Sequence, residues 1–173
     1  MARIEFSLFI AAPVGRCFDL SRSVELHVAS TAGTGERIVA GRTSGCLELG
    51  ESVTWRARHF GVWQELTSRI VAMEPPDHFR DSQVRGAFAR FDHDHHFTHD
   101  RDGTIMREVF DYRAPLGPLG VLAERLFLTR YMRRFLLARA RVVKAVAESE
   151  EWRRYVGPAG VALATGLVDI FTA

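Results

Sequence analysis

Four of the seven histidines in this 173-residue chain lie within residues 93–99. Imidazoles at this density can bind a metal ion, transfer protons, or simply form the polar side of a strand. In a strand, His93 and His95 point to the same side because successive side chains alternate. The chemistry open to them therefore depends on which other residues share that side.

The histidine run belongs to a predicted hairpin that turns at "DRDG", residues 100–103. A two-residue loop pairs His95 with Phe110 and a four-residue loop pairs it with Glu108, and both loops place the same residues on one face. That face carries Phe91, His93, His95, Phe97, His99, Met106, Glu108, Phe110 and Tyr112. The opposite face is expected to meet water and carries Arg90, Asp92, Asp94, His96 and Arg107.

A second hairpin is predicted to turn at Phe60-Gly61, and one of its faces is mostly apolar: Val53, Trp55, Ala57, His59, Val62, Gln64, Leu66, Ser68 and Ile70. The two inner faces together hold six groups that need polar partners: His59, Gln64, His93, His95, His99 and Glu108. In a solid core, each one left unpaired would cost about 1 to 3 kcal/mol. A cavity that admits water or a ligand removes this cost, so the pattern predicts a small-molecule pocket.

The elements that position these residues are read from periodicity and turn signals. Residues 3–11 alternate as a strand, and two short helices follow Pro13, with Ser23 as the N-cap of the second. A short strand lies within residues 33–50, and residues 51–112 form an antiparallel meander. Residues 121–156 contain no proline or glycine, which predicts a long helix, with about residues 119–149 covering the sheet.

On a helical wheel, the long helix has two faces. The apolar face carries Phe127, Leu128, Tyr131, Met132, Phe135, Leu136, Val142, Val143 and Val146, and it either packs in the core or lines the pocket. The basic face carries Arg130, Arg133, Arg134, Arg141 and Lys144. It is either a solvated surface or a binding surface for an anionic membrane or partner.

Composition excludes several classes of protein. With 47% hydrophobic and 25% charged residues, the chain is expected to form one soluble globular domain. A net charge of +2 argues against nucleic-acid binding. Cys17 and Cys46 have no CxxC spacing, so we expect a reducing, cytoplasmic location and no disulfide framework. There is no GxSxG, and the glycines of residues 31–45 lack the GxGxxG order of nucleotide-binding loops.

The two ends of the chain carry neither a clear signal peptide nor a clear membrane span. Glu5 and Ser7 interrupt the apolar run that a signal peptide needs. Residues 156–173, "VGPAGVALATGLVDIFTA", contain Pro158 and Asp169 and are marginal for a membrane span. We expect a ligand-binding domain over residues 1–149 and an apolar extension over 150–173 that packs on the domain or on a second copy. Both a monomer and a homodimer remain open.

The order of elements, with the segments "GESVTWRARHFG", "LTSRIVAMEPPDHFRDSQVRGAF", "FDHDHHF" and "MREVFDYRAPLGPLG", resembles the START-like (SRPBCC) superfamily. The resemblance covers about residues 2–148. It implies the helix-grip fold, an α+β architecture in which a curved antiparallel sheet of six or seven strands wraps a long C-terminal helix and leaves a hydrophobic cavity. The branch resembled is cyclase-like and has no catalytic residues that can be carried over.

Three functional hypotheses follow, with binding of a lipid- or polyketide-like hydrophobic small molecule placed first and a membrane- or partner-binding adaptor that uses the basic face of the long helix placed third. The predicted pocket residues are Trp55, His59, Gln64, Leu66, Ile70, Phe91, Phe97, Met106, Phe110, Tyr112, Leu128, Met132 and Phe135. The alternative is a cyclase- or dehydratase-type enzyme that uses His93, His95 and Glu108 as acid and base. No cofactor and no metal are expected, because the sequence does not bring a third ligand, such as Glu108 or His59, to one point with His93 and His95.

Overall fold

The computed structural model describes residues 2–156. The predictions for the apolar tail beyond residue 156, including its packing on the domain or on a second copy, lie outside the described residues. The part of the predicted extension that is described forms a 3-10 helix, Glu150–Arg154. Trp152 and Val156 are buried in the same core as the long helix.

Within residues 2–156, seven antiparallel strands form one sheet in the order β1-β7-β6-β5-β4-β3-β2. Their bounds are β1 Ala2–Ile10, β2 Arg37–Gly41, β3 Ser52–His59, β4 Val62–Glu74, β5 His78–Arg85, β6 Arg90–Asp100 and β7 Gly103–Arg113. Register shifts in β2 and β4 mark bulges, which bend a sheet. The curved sheet and the meander from β3 to β7 confirm the predicted α+β helix-grip fold.

A tight turn at Arg101-Asp102 sets the register of the histidine hairpin. Arg101 has a φ of 50°, Asp100 pairs with Gly103, and His95 therefore lies opposite Glu108. This is the register predicted for the four-residue loop. The predicted grouping of residues on one face is confirmed, because it depends only on parity.

The turn between β3 and β4 lies where the sequence predicts it, and Gly61 suits the positive φ of its second central position. Phe60 and Gly61 have φ values of 52° and 78°, as the two central residues of a type I′ hairpin turn require. His59 pairs with Val62, and Ala57 pairs with Gln64. The inner face of this hairpin is the predicted one.

The long helix, residues 118–147, has three parts: α3 Pro118–Ala123, a π-helical turn Glu124–Leu128, and α4 Thr129–Ala147. It begins before residue 121 because proline fits the first helical turn. The first turn also requires glycine at position 120, because a Cβ there would lie 2.0 Å from the carbonyl oxygen of Pro115. The helix stops at Ala147 rather than continuing to residue 156, because Ser149 caps the next 3-10 helix through the Glu151 N–H.

The two faces of the long helix lie as the wheel predicts. Met132 and Leu136 are buried, whereas Phe127 is 49% exposed. The apolar face therefore divides between the core and the pocket wall. On the basic face, Arg133 donates to the carbonyl oxygen of Glu5 and Lys144 to that of Phe9, so these two side chains join the helix to β1.

Two short helices, α1 Val14–Arg22 and α2 Val24–Ser30, follow β1 and pack against α4. Ser23 caps α2, as predicted, by accepting a hydrogen bond from the N–H of Leu26 at 3.3 Å. None of the helices within residues 2–156 combines the length and the apolar composition needed to cross a membrane.

Candidate functional site

A cavity of about 340 Å³ lies between the inner face of the sheet and the long helix. Small-molecule pockets usually occupy 300 to 1,000 Å³, so the space suits one compact ligand. The wall is mostly apolar and aromatic. Ten of the thirteen predicted pocket residues line it: Trp55, His59, Gln64, Leu66, Ile70, Phe91, Phe110, Leu128, Met132 and Phe135.

The other three predicted pocket residues are not part of the cavity wall. Phe97, Met106 and Tyr112 are at most 1% exposed and pack in the solid core. Phe97 lies against Phe18, and the Tyr112 hydroxyl hydrogen-bonds the Thr129 hydroxyl at 2.8 Å. They point to the predicted side of the sheet, but α1 and α4 fill the space over these positions.

His99 also departs from the prediction. Although its parity matches His93 and His95, it is exposed near the end of β6. The core does not extend that far along the strand. On the outer face, the departure is the opposite: Asp94, expected to meet water, is buried because His78 and Arg80 of β5 bond to its carboxylate.

The central polar feature of the site is the contact of Glu108 with two imidazoles. Glu108 Oε2 lies 2.8 Å from His93 Nε2, and Oε1 lies 3.1 Å from His95 Nδ1. His93 and His95 line the cavity, whereas Glu108 lies behind them and is 6% exposed. The carboxylate therefore orients both rings from the side opposite the cavity.

Asp81 completes this group, and sequence reasoning missed it. It pairs with His93 across β5 and β6, and its Oδ1 lies 3.2 Å from His95 Nε2 and 3.8 Å from His93 Nδ1. One signal was available: Asp81 lies two residues after the apolar Phe79, which places both on the inner face of β5. We call Asp81, His93, His95 and Glu108 the His–carboxylate cluster.

Neighbouring charges within the cluster shift the pKa values of its members. Burial disfavours a charged imidazole at His95, but Glu108 and Asp81 on its two sides outweigh burial and raise its pKa to about 9. Burial and the neighbouring His95 lower the pKa of His93. Burial alone would raise the pKa of Glu108, yet the two imidazoles hold it well below its usual range. The cluster thus contains two carboxylates, a cationic His95 and a neutral His93.

A second polar region lines the cavity near α2 and α4, and sequence reasoning did not find it. His27 Nε2 lies 2.6 Å from Glu36 Oε1, and the His27 ring stacks on Trp55 at 3.9 Å. Burial and the charge of Arg139 lower the pKa of His27. Arg139 belongs to neither predicted helix face, and its buried Nε has no hydrogen-bond partner among residues 2–156.

His59 and Tyr131 join the sheet to the helix at the other side of the cavity. Their contact, between His59 Nδ1 and the Tyr131 hydroxyl, is 2.6 Å long. Burial lowers the pKa of His59. His59 and Gln64 line the wall as predicted, but His59 is bound to the helix rather than to the His–carboxylate cluster.

Within residues 2–156, two groups of side chains could hold a metal ion: Asp81, His93 and His95 inside, and His78, Asp94 and His96 outside. Neither cysteine belongs to them. Both thiols are free, and burial raises the pKa of each to about 11, which leaves no activated thiolate.

Comparisons with known proteins establish the fold. No protein-family model and no curated protein matches the sequence. A START superfamily protein from Mycobacterium smegmatis has a TM-score of 0.63 at 11% identity, over 84% of this chain and 97% of that chain. Major latex-like protein 151 from Panax ginseng has a TM-score of 0.60 at 17% identity, over 86% and 98%.

The di-domain ARO/CYC StfQ of the steffimycin biosynthetic pathway is also similar, with a TM-score of 0.68 at 18% identity over 84% of this chain and 50% of that chain. At these identities the likeness concerns the fold. The chain has a START-like helix-grip fold, as its sequence segments predicted.

Proposed function

We propose that this protein binds a hydrophobic or aromatic small molecule in the cavity between its sheet and its long helix. The observation that carries the proposal is the cavity itself, about 340 Å³ in volume, with a largely apolar wall that includes several aromatic rings. The side chains proposed to contact the ligand are the ten predicted residues that line the cavity. They supply apolar contact, and Arg139 and His59 supply hydrogen-bonding groups for oxygen atoms of the ligand.

The exposed part of the cavity wall, which we take as its entrance, is apolar and therefore favours a hydrophobic ligand. Four side chains that belong to the cavity wall are also strongly exposed: Phe60 at 56%, Leu116 at 78%, Leu119 at 69% and Phe127 at 49%. Exposed apolar groups gathered at one place commonly mark an interaction site. A ligand that enters here meets apolar surface before it reaches the polar groups inside.

The test is binding of the neutral fluorophore N-phenyl-1-naphthylamine to the purified chain. Ala57 lines the cavity and is 5% exposed, so Ala57→Phe places a ring in the cavity. We expect a loss of affinity of at least about tenfold, which corresponds to 1.4 kcal/mol. Ala138→Phe on the exposed side of α4 is the matched control and should bind as the wild type does.

Equal affinity of folded Ala57→Phe and wild type would contradict binding in this cavity, as would the absence of binding to wild type. Circular dichroism of each variant shows whether it is folded. Native mass spectrometry of the freshly purified protein then identifies any ligand that copurifies.

An enzyme of the cyclase or dehydratase kind is the second candidate. The similarity to the ARO/CYC protein and the two imidazoles at the cavity wall favour it. In such a reaction, the neutral His93 takes a proton from a carbon between two carbonyl groups, and that carbon attacks a further carbonyl, whose oxygen takes a proton from the cationic His95. A second proton then leaves the attacking carbon as the new hydroxyl group leaves its neighbour, and the two depart as water. Glu108 orients the imidazoles.

A synthetic poly-β-ketone distinguishes the two candidates. His95→Gln retains affinity in both cases, but only an enzyme loses turnover, measured as formation of a cyclised aromatic product. Absence of product with wild type would exclude this reaction for that substrate and leave the binding proposal intact.

A further inference from the structure

Glu108 determines which nitrogen atoms of the two imidazoles are free. It contacts His93 through Nε2 and His95 through Nδ1. An ionised carboxylate only accepts hydrogen bonds, so each imidazole donates one N–H to it. The nitrogen atoms left over are His93 Nδ1 and His95 Nε2, and both of them face Asp81.

Three potential ligand atoms therefore converge. Asp81 Oδ1 lies 3.2 Å from His95 Nε2 and 3.8 Å from His93 Nδ1, and all three atoms lie within 4.8 Å of one another. Around a divalent transition metal with bonds of about 2.0 to 2.2 Å, neighbouring ligand atoms are about 3.0 to 3.5 Å apart. Of the three distances, that from Asp81 Oδ1 to His95 Nε2 already fits, and that to His93 Nδ1 exceeds the range by a few tenths of an ångström. The third, between the two nitrogen atoms, is at most 4.8 Å, so a small rotation of the rings brings all three ligand atoms into range.

The remaining contacts are those that a metal site uses. Metal-binding imidazoles almost always donate their other N–H to a carboxylate or carbonyl, which fixes the tautomer and the ring orientation. Here a single buried carboxylate, Glu108, does this for both rings. Without a metal ion, the carboxylate of Asp81 would face the lone pairs of two nitrogen atoms. One proton must then lie between Asp81 and one of these nitrogen atoms.

Charge favours a divalent cation in the same place. The carboxylates around the cavity are the buried Glu36 and Glu108 and the partly buried Asp81, and Arg139 is a cation without an ion-pair partner among residues 2–156. With a single proton in the cluster, one negative charge is left over. A divalent ion that replaces the proton removes this excess, and buried net charge is costly.

The outer group provides a contrast. His78, Asp94 and His96 meet the same distance condition, but Arg80 Nε and Nη2 each lie 2.8 Å from an oxygen of Asp94. The guanidinium occupies both carboxylate oxygens and supplies the positive charge. This group needs no further cation.

We propose that Asp81 Oδ1, His93 Nδ1 and His95 Nε2 bind one divalent transition-metal ion, with Glu108 as the positioning residue. Two imidazoles and a carboxylate suit Zn²⁺, Co²⁺ and Fe²⁺. His93 and His95 belong to the cavity wall, so the open coordination positions face the cavity. An oxygen atom of a molecule in the cavity can then complete the coordination.

The test uses the whole chain and the metal alone. Protein treated with a chelator and desalted is titrated with Zn²⁺ by calorimetry and with Co²⁺ by visible absorption. We expect one ion per chain, with the visible spectrum of Co²⁺ bound to nitrogen and oxygen. Asp81→Asn removes the negative charge of one ligand and His93→Gln removes the imidazole of another, so each should weaken binding at least 100-fold, whereas Glu108→Gln should weaken it 10- to 100-fold.

His96→Gln, which alters the outer group, is the matched control and should bind as the wild type does. Circular dichroism establishes that each variant is folded, and two ligand variants are used so that one misfolded protein does not decide the result. Failure of folded wild type to bind either ion overturns the proposal, as does binding that survives in folded Asp81→Asn and His93→Gln or is lost in His96→Gln. Binding of the fluorophore is measured separately, so failure of the metal site leaves the proposed ligand binding unaffected.

Discussion

The contacts of Glu108 lead to a strong effect of Glu108→Gln on stability. The carboxylate is 6% exposed and accepts hydrogen bonds from His93 at 2.8 Å and from His95 at 3.1 Å. Glutamine keeps the shape but removes the charge. Its amide oxygen can accept from one imidazole, while its NH₂ group is placed against the N–H of the other.

The expected loss follows from these two contacts. A hydrogen bond to a charged group contributes about 1.5 to 3 kcal/mol, and removal of one partner of a buried ion pair costs about 3 to 5 kcal/mol. Because one acceptor survives in Glu108→Gln, we expect a loss of about 3 kcal/mol in the free energy of unfolding. For a domain of this size, the melting temperature should fall by about 6 to 12 °C.

The measurement is urea unfolding at pH 7 followed by far-UV circular dichroism, with EDTA present so that bound metal does not contribute. Asp111→Asn is the matched control, because it is the same chemical change on the outer face of the same strand. Asp111 forms a partly exposed pair with Arg3 at 3.1 Å, and its loss should cost less than about 1 kcal/mol. A loss in Glu108→Gln no larger than in Asp111→Asn would refute the view that Glu108 stabilises a buried charged cluster.

Three further perturbations test other parts of the structure. Arg139→Met removes a guanidinium whose Nε is buried without a hydrogen-bond partner but whose charge acts on the carboxylates of Glu36 and Asp81, so it should lower stability in a thermal melt. The loss should be smaller than in Arg22→Met, which breaks direct bonds to Asp19 and Glu48; a larger loss in Arg139→Met would contradict this ranking. Gly86→Ala should lower the free energy of unfolding in urea by more than about 1 kcal/mol, because Gly86 has a φ of 142° and a Cβ would lie 2.6 Å from the Glu65 carbonyl oxygen. The control Gly33→Ala, where a Cβ meets open space, should change stability by less than about 0.5 kcal/mol, and equal effects at the two sites would contradict the packing. His27 outweighs burial and lowers the pKa of Glu36, so this carboxylate stabilises the fold above the ordinary glutamate pKa of about 4.3 and loses that contribution as pH falls through its lower folded value. Wild type should therefore lose more stability below about pH 4 than Glu36→Gln does, and parallel losses in the two proteins would argue against the pair with His27.

Features that depend on neighbours in the chain were predictable. Alternation along a strand places His93 and His95 on one side, and a tight turn places Glu108 on the same side without knowledge of the exact loop. The same logic assigned Trp55 and Gln64 to the inner face. Even Asp81 was within reach, because it alternates with Phe79.

Positions along an element were harder to predict than its faces. Phe97, Met106 and Tyr112 point to the predicted side but lie in the core, since α1 and α4 cover those parts of β6 and β7. Arg139 lies within the apolar arc of the wheel, close to Met132, so the wheel places it on the inner side of α4, but only the packing of α4 shows that this position lines the cavity. A wheel gives the face on which a residue lies but not whether that face meets a cavity or a solid core.

The amino-acid sequence by itself determined the order of elements and the faces of the hairpins and the helix, because these follow from periodicity over a few residues. The helix-grip fold was implied by the resemblance of its segments to the START-like superfamily. Only the tertiary structure decided that Asp81 meets both imidazoles and that Arg139 and Glu36 share the cavity with them. The physical reason is that side chains converge at one point only when distant elements are correctly placed. Here that placement depends on the register of β5 against β6 across the irregular connection of residues 86–89, and on the rotation of α4, more than 40 residues away in the chain. Distances of a few ångströms between such elements are set by packing, which no local pattern encodes.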